Sequence, residues 1–313
     1  MSSSPSTSPV RRNSYEQDDD LSFLEKFRYI NGRRFHNEES TVNYYVPNDS
    51  EESSRLNLQH YLLRCIWNGN FSSPITEILS KRNASVLDIG CCAGTWVLDM
   101  AQKYPQSSFI GIDISRMYPS SDKTPLNVIF LQHNILEGLP WPPNTFDFVY
   151  KRFLSLSFTL KDLTKMVNEI TRVTKIGGWI EVMNYGNSMK NSGKATKKLM
   201  DALKEFHESK HIFVLNIKES VKMLEDTGSI TNIKYEENYT PIGKWNGQIG
   251  DLMMSIFMSA FNSYKLFLAP FMNITIEQFD VLLSEMEKEF NDHQSYVHTY
   301  RVYGKKSFEI CDI

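Results

Sequence analysis

The chain has 313 residues, 41% of them hydrophobic and 23% charged, enough to bury a core in one large domain or two modest ones. A net charge of −3 gives no support for nucleic-acid binding, and no run of apolar residues approaches the ~18 that a membrane helix needs, so neither a nucleic acid nor a membrane is expected as a partner. Four cysteines (Cys65, Cys91, Cys92, Cys311) are too few and too scattered for a disulfide framework, and with seven histidines at no ligand-like spacing no metal site is expected.

Residues 1–20 read as a disordered tail, Ser/Pro-rich and then acidic, and not as a signal peptide, which leaves a cytoplasmic and/or nuclear location as the expectation. Within it Arg11-Arg12-Asn13-Ser14 has the form of a basophilic kinase site. Residues 21–313 read as a single domain with three parts: a helical lid over 21–70, a cofactor-binding half over 71–190 and a substrate-side half over 191–313. In the lid, Leu58, Leu62 and Ile66 share a helix face. From Ser85 short apolar runs alternate with amphipathic helices, the pattern of a parallel α/β sheet. Strands are predicted over Ser85–Ile89, Phe109–Asp113, Asn127–His133, Phe146–Lys151 and Trp179–Met183, with late β-like runs over Ile230–Tyr239 and Tyr296–Tyr303. Helical faces are Val97, Met100, Ala101, Tyr104; Leu160, Leu163, Val167, Ile170; Leu199, Ala202, Leu203, Phe206; Ile249–Phe261; and Leu282, Leu283, Met286, Phe290. The Ile249–Phe261 helix, rich in methionine, reads either as the roof of a pocket or as core.

The first strand runs into Asp88-Ile89-Gly90-Cys91-Cys92-Ala93-Gly94-Thr95 and then a helix, where doubly wound sheets bind nucleotides. The dinucleotide fingerprint fails at two of its three glycines, and the phosphate-binding loop lacks its Lys. What remains is acidic-x-Gly-x-small-x-Gly, which suits a nucleoside ligand without phosphates, carrying a sulfonium and an amino-acid end. Asp88 favours such a cation. Asp113, followed by Ile114, ends the second strand and is placed to accept both ribose hydroxyls. At the third strand's exit Asn134 can pair with the adenine amine, or be a turn asparagine, and Ile135 can cover the ring. The fourth strand ends at Tyr150-Lys151-Arg152, whose carbonyls would face the amino-acid end. Lys151 itself is expected to turn outward, because an ammonium beside a sulfonium is unfavourable.

Val86-Leu87-Asp88-Ile89-Gly90, Gly111-Ile112-Asp113, Leu139-Pro140-Trp141, Phe146-Asp147-Phe148-Val149 and Gly177-Gly178-Trp179-Ile180-Glu181 resemble the successive motifs of class I methyltransferases. The chain is more narrowly similar to the fungal LaeA-like and trans-aconitate-methyltransferase-like group. That likeness rests on Gly32–Glu38, Tyr45–Asp49, Arg55-Leu56 and Gln59-His60 before the sheet, and on Pro241–Trp245 and Tyr303–Lys306 near the end. It implies a Rossmann-like seven-stranded doubly wound fold with a helical insertion before the last strand, S-adenosyl-L-methionine as cofactor, and Asp88, Gly90, Cys91, Cys92, Gly94, Asp113, Ile114, Asn134, Ile135 and Lys151 around it. The family's loop usually has Gly at the place of Cys92; a positive φ there would strain a cysteine.

Methyl transfer from a sulfonium asks the protein chiefly for alignment and exclusion of water. Tyr44, Tyr45 and Trp245 are candidates for cation–π contact near the methyl group, or plain packing. Arg55 is a candidate for the cofactor carboxylate and His60 for a proton acceptor. No D/N-P-P-Y signature follows the fourth strand, and no Pro-Cys pair occurs, which argues against base methylation. Lys175 and Glu181 could supply half of a ribose-methylating set, against which the acidic balance stands. The acceptor, a small molecule or a protein, is not named by the sequence. The resemblance also admits a cofactor-binding regulator acting through protein partners with little turnover.

Overall fold

The computed structural model describes residues 27–37, 44–81 and 83–308; the expected tail, Ser14 and Cys311 lie outside them. Where a helical lid was expected, β1 (Phe27–Ile30) and β2 (Arg33–His36) form an antiparallel hairpin. Asn31 and Gly32 at its tip have φ of 49° and 77°, the two positive values a type I′ turn requires. The lid is helical only from α1 (Ser50–Ile66) onward. Asp49 caps α1, accepting from the Glu52 amide at 3.0 Å, and also receives Arg33 Nε at 2.6 Å. One carboxylate thus starts the helix and ties the hairpin to it.

After α2 (Thr76–Lys81) the main sheet begins, with β3 (Ser85–Ile89), α3 (Thr95–Lys103), β4 (Ser108–Asp113), β5 (Val128–Gln132), β6 (Phe146–Arg152), α4 (Leu160–Val173) and β7 (Thr174–Lys190). There follow α5 (Lys194–Ser209), α6 (Ile217–Glu225), β8 (Ile230–Pro241), α7 (Gly247–Phe271), α8 (Ile276–Asp292) and β9 (Tyr296–Lys306). The strand order is β5-β4-β3-β6-β7-β9-β8. The first five are parallel, and β9 is antiparallel to both its neighbours. This is the seven-stranded Rossmann-like sheet that was expected. The order in which strands are added reverses at β3, with β4 on one side and β6 on the other, which opens a crevice at the carboxyl ends of these strands.

Alternate residues of each strand point to opposite faces. Val86, Phe109 and Phe148 pack with Val97, Met100 and Ala101 of α3. Leu87, Ile89, Ile112 and Val149 pack with Leu163, Val167 and Ile170 of α4 on the other face. A third cluster, including Met183, Leu199, Phe206, Met253, Phe261, Phe279 and Phe290, joins α5, α7 and α8. Contrary to the expectation from apolar runs, the helix spanning Lys244–Phe271 is long and apolar enough to cross a membrane by length and composition. Here Met253, Met254, Ile256 and Leu268 of that helix are buried in the third cluster, so it serves as a core helix.

One strand differs from expectation. β7 runs well past Met183, because β9 pairs with it as far as Lys190↔Tyr296 through an irregularity between Tyr185 and Met189. The polar Asn184, Asn187 and Ser188 hide that extension in the sequence. The last strand, β9, inserts between β7 and β8.

Candidate active site

The β3–α3 loop needs three left-handed residues, Gly90 (φ 71°), Cys92 (φ 50°) and Gly94 (φ 74°). At Gly94 a Cβ would lie 2.4 Å from the Phe130 ring, so no side chain fits. The amides of Gly90 and Cys91 both donate to the Ile112 carbonyl, at 2.9 and 3.0 Å. The Cys92 amide donates to Asp113 Oδ2 at 2.9 Å, and the Ser115 amide to Asp113 Oδ1 at 2.8 Å. Asp113 therefore clamps the loop to the end of β4, with lone pairs on both oxygens left over. Burial pushes its carboxyl pKa up, against the opposing pull of those amides.

Two cavities meet at this loop. The smaller, about 50 Å³, is lined by Asp113, Ile114, Asn134, Ile135, Met117 and His36 among others. The larger, about 450 Å³, is lined on the loop side by Asp88, Gly90, Cys91 and Cys92, and elsewhere by Tyr45, Arg55, Gln59 and residues of β7, α5 and α7. Tyr44, Gly90, Cys92, Leu154 and Ser157 line both. Asp88, 4% exposed, accepts no hydrogen bond from the described residues. Burial, opposed by Arg152 and reinforced by Asp113, pushes its pKa up to about 7.

The sequence candidates divide accordingly. Asp88, Gly90, Cys91, Cys92, Asp113, Ile114, Asn134 and Ile135 come together around the two cavities, while Gly94 lines neither and serves the turn. Asn134 Oδ1 accepts from the Leu136 amide at 3.0 Å, so the turn role is filled. Arg55 reaches the larger cavity but is already gripped by buried Glu52, its Nε donating to Oε2 at 2.8 Å. Tyr45 lines the cavity with its ring 4.9 Å from that of Phe206.

Two expectations fail, for Lys151 and His60, and Trp245 takes its packing alternative. Lys151 lines neither cavity and does not turn outward: it is 2% exposed and donates to Ser155 Oγ at 3.0 Å. β6 is central and covered on both faces, so no outward direction exists; burial lowers the amine's pKa to about 7. His60 lines neither cavity, because its Nε2 is 3.2 Å from Asp99 Oδ2, in a strut between α1 and α3. Trp245 is held elsewhere, its indole N–H donating to the Ile242 carbonyl at 2.9 Å. The ribose-methylating pair does not form either, since Lys175 meets Asp147 at 2.7 Å and Glu181 is wholly buried.

Because Cys92 sits at φ 50°, Cys92→Gly removes a strain of about 1 kcal/mol. The variant is expected to bind cofactor as tightly as the parent or up to about fivefold tighter. Calorimetric titration checks this; markedly weaker binding would show that the thiol makes a contact of its own.

A family model for a methyltransferase domain matches residues 86–178, the stretch carrying the loop, Asp113 and Asn134. That stretch, somewhat under a third of the chain, is similar to a methyltransferase domain. The chain's fold is also that of the YcgJ protein from Bacillus subtilis, at 18% identity and a TM-score of 0.50 over 80% of this chain and 99% of that one. The N-methyltransferase verN from Clonostachys rogersoniana is 30% identical over 159 residues, 50% of this chain and 54% of that protein. The protein-methionine methyltransferase laeA from Emericella nidulans is 24% identical over 314 residues, 96% of this chain and 79% of that protein. The chain spans about half the length of the first curated relatives it matches.

Several side-chain pairings at the site could not be read from the sequence. His36 Nε2 meets Ser115 Oγ at 2.6 Å and seats the hairpin against the Asp113 turn. Gln59 Nε2 donates to the Tyr185 hydroxyl at 2.6 Å. His207 and Tyr264 face each other from α5 and α7. Each pair joins positions more than fifty residues apart, which no local pattern reveals.

Proposed function

We propose that the domain binds S-adenosylmethionine across both cavities and transfers its methyl group to an acceptor in the larger one. The observation that carries this is the loop bracketed by two carboxylates, Asp88 open to the larger cavity and Asp113 to the smaller. A buried carboxylate with no hydrogen-bond donor suits a cationic ligand end, and Asp88 would hold the cofactor's ammonium. Asp113, oriented by two backbone amides, would accept the ribose hydroxyls. Ile114 and Ile135 would cover the adenine, with Asn134 shaping the turn around it. When bound, the sulfonium supplies an electrophilic methyl group. The residues of the chain align the acceptor and keep water away. Mass spectrometry of the purified protein and calorimetric titration test the reading. One cofactor per chain is expected, and no binding of S-adenosylmethionine or S-adenosylhomocysteine would overturn it.

A second reading, regulation through protein partners with little turnover, is favoured by the likeness to the secondary metabolism regulator laeA of Emericella nidulans, 24% identical over 96% of this chain. Turnover on small acids and proteins separates the two. A cytoplasmic or nuclear location is supported by Cys65, Cys91 and Cys92, which are all free thiols.

A further inference from the structure

We propose that Tyr264 and His207 form a proton-accepting pair in the larger cavity, and that the acceptor is an uncharged, largely apolar molecule with a weakly acidic O–H, a phenol or an enol. This rests on the methyl-transfer reading above.

The cavity's walls give the class of molecule. Tyr45, Phe153, Tyr185, Phe213, Phe257 and Phe261 line it, with Phe153 and Tyr185 stacked at 4.2 Å. The cations on its wall, Arg55, Arg152 and Lys204, are outnumbered by the acids Asp88, Asp201, Glu208 and Glu219 on the same lining. Arg55 also pairs with Glu52, and Lys204 lies 3.8 Å from Glu208. No surplus positive charge is left among the described lining residues to compensate a carboxylate, so the acceptor enters neutral.

The pair gives the reacting group. His207 Nδ1 lies 2.8 Å from the Leu203 carbonyl. A carbonyl only accepts, so Nδ1 carries the ring proton and Nε2 keeps its lone pair. Nε2 faces the Tyr264 hydroxyl at 3.3 Å, and both residues line the cavity. Burial holds the His207 pKa below its ordinary value and raises that of Tyr264, so at neutral pH the phenol donates to an unprotonated imidazole. The other ionisable groups facing the pair are Tyr45, the Glu52–Arg55 pair from α1, and Lys204 and Glu208 of α5 itself. A thioether attacks without losing a proton and gains nothing from such a base, and an alkylamine arrives as its ammonium, a second cation beside the sulfonium; a neutral O–H gains from the base directly.

The step balances. The acceptor's proton passes to the Tyr264 oxygen as the Tyr264 proton passes to Nε2. The acceptor oxygen bonds to the methyl carbon, and the carbon–sulfur bond breaks with its electron pair left on sulfur. The imidazolium then returns its proton through Tyr264 to solvent. Tyr264 is the group that touches the acceptor, and His207 acts through it.

The test uses 2-naphthol and a series of ring-substituted phenols of graded acidity, with the full-length protein. Calorimetry of 2-naphthol on protein saturated with S-adenosylhomocysteine should show binding that Tyr264→Phe weakens about threefold to tenfold. Methyl-transfer rates with His207→Gln should fall about a hundredfold or more for the least acidic phenols and progressively less toward 4-nitrophenol, which needs no base. A structural role for His207 would lower all rates by one factor. That uniform loss, or absence of phenol binding while S-adenosylhomocysteine binds, would overturn the proposal. Failure of S-adenosylhomocysteine itself to bind would remove the cofactor reading, and this proposal with it.

Discussion

Asp113→Ala is expected to weaken S-adenosylmethionine binding by roughly tenfold to a hundredfold. A carboxylate accepting ribose hydroxyls makes charge-assisted hydrogen bonds worth about 1.5–3 kcal/mol each, and about 1.4 kcal/mol is a factor of ten. The structure adds a second route to the same loss. Asp113 also receives the Cys92 and Ser115 amides, so its removal frees the glycine loop from β4. The sheet contacts of β4 with β3 and β5 remain, so the fold should persist with a modestly lower melting temperature. Asp113→Asn should fall between parent and alanine, since its amide oxygen still accepts one of the two backbone donors. Calorimetric titration of the three proteins, with circular dichroism to confirm folding, makes the measurement. Equal affinities would place Asp113 outside the cofactor site.

Glu181→Ala is expected to destabilise the protein by about 3–5 kcal/mol. Glu181 is wholly buried and accepts from the Ser72 amide, the Ser73 amide at 2.8 Å and Ser73 Oγ at 2.7 Å. Its other neighbour is Arg301, 2% exposed, whose Nε lies 3.7 Å away and whose guanidinium sits 4.5 Å from the Trp67 ring centroid. Without the carboxylate a buried cation and three donors lose their counterpart, and the segment after α1 loses its anchor on β7. Glu181→Gln should cost less, because one oxygen still accepts. Thermal unfolding of both variants is the check. An alanine variant melting within a degree of the parent would mean that water enters and replaces the carboxylate.

The site was legible in the sequence wherever function and local backbone geometry coincide. Gly90, Cys92 and Gly94 announce a left-handed turn, and Asp113 ends a short apolar strand, so both could be placed from neighbours within a few residues. The same logic makes Asn31-Gly32 a hairpin turn, a signal masked by the aromatic and charged residues around it, which give no clean alternation. Lys151 departs from expectation for a different reason. Keeping an ammonium away from a sulfonium suggests an outward side chain, whereas its burial depends on β3 and β7 closing around β6 and on Ser155 Oγ accepting its hydrogen bond.

The sequence by itself determined the class of fold, the glycine loop after β3, and the acids Asp88 and Asp113 beside it, because periodicity and turn chemistry act between near neighbours. Only the tertiary structure decided the rest. It placed β9 inside the sheet, turned His60 away to Asp99, closed Arg55 onto Glu52, and brought His207 to Tyr264 across one cavity. Those outcomes depend on which surfaces of distant helices and strands pack together, and on which buried charge finds a partner there; the order of residues along the chain carries neither.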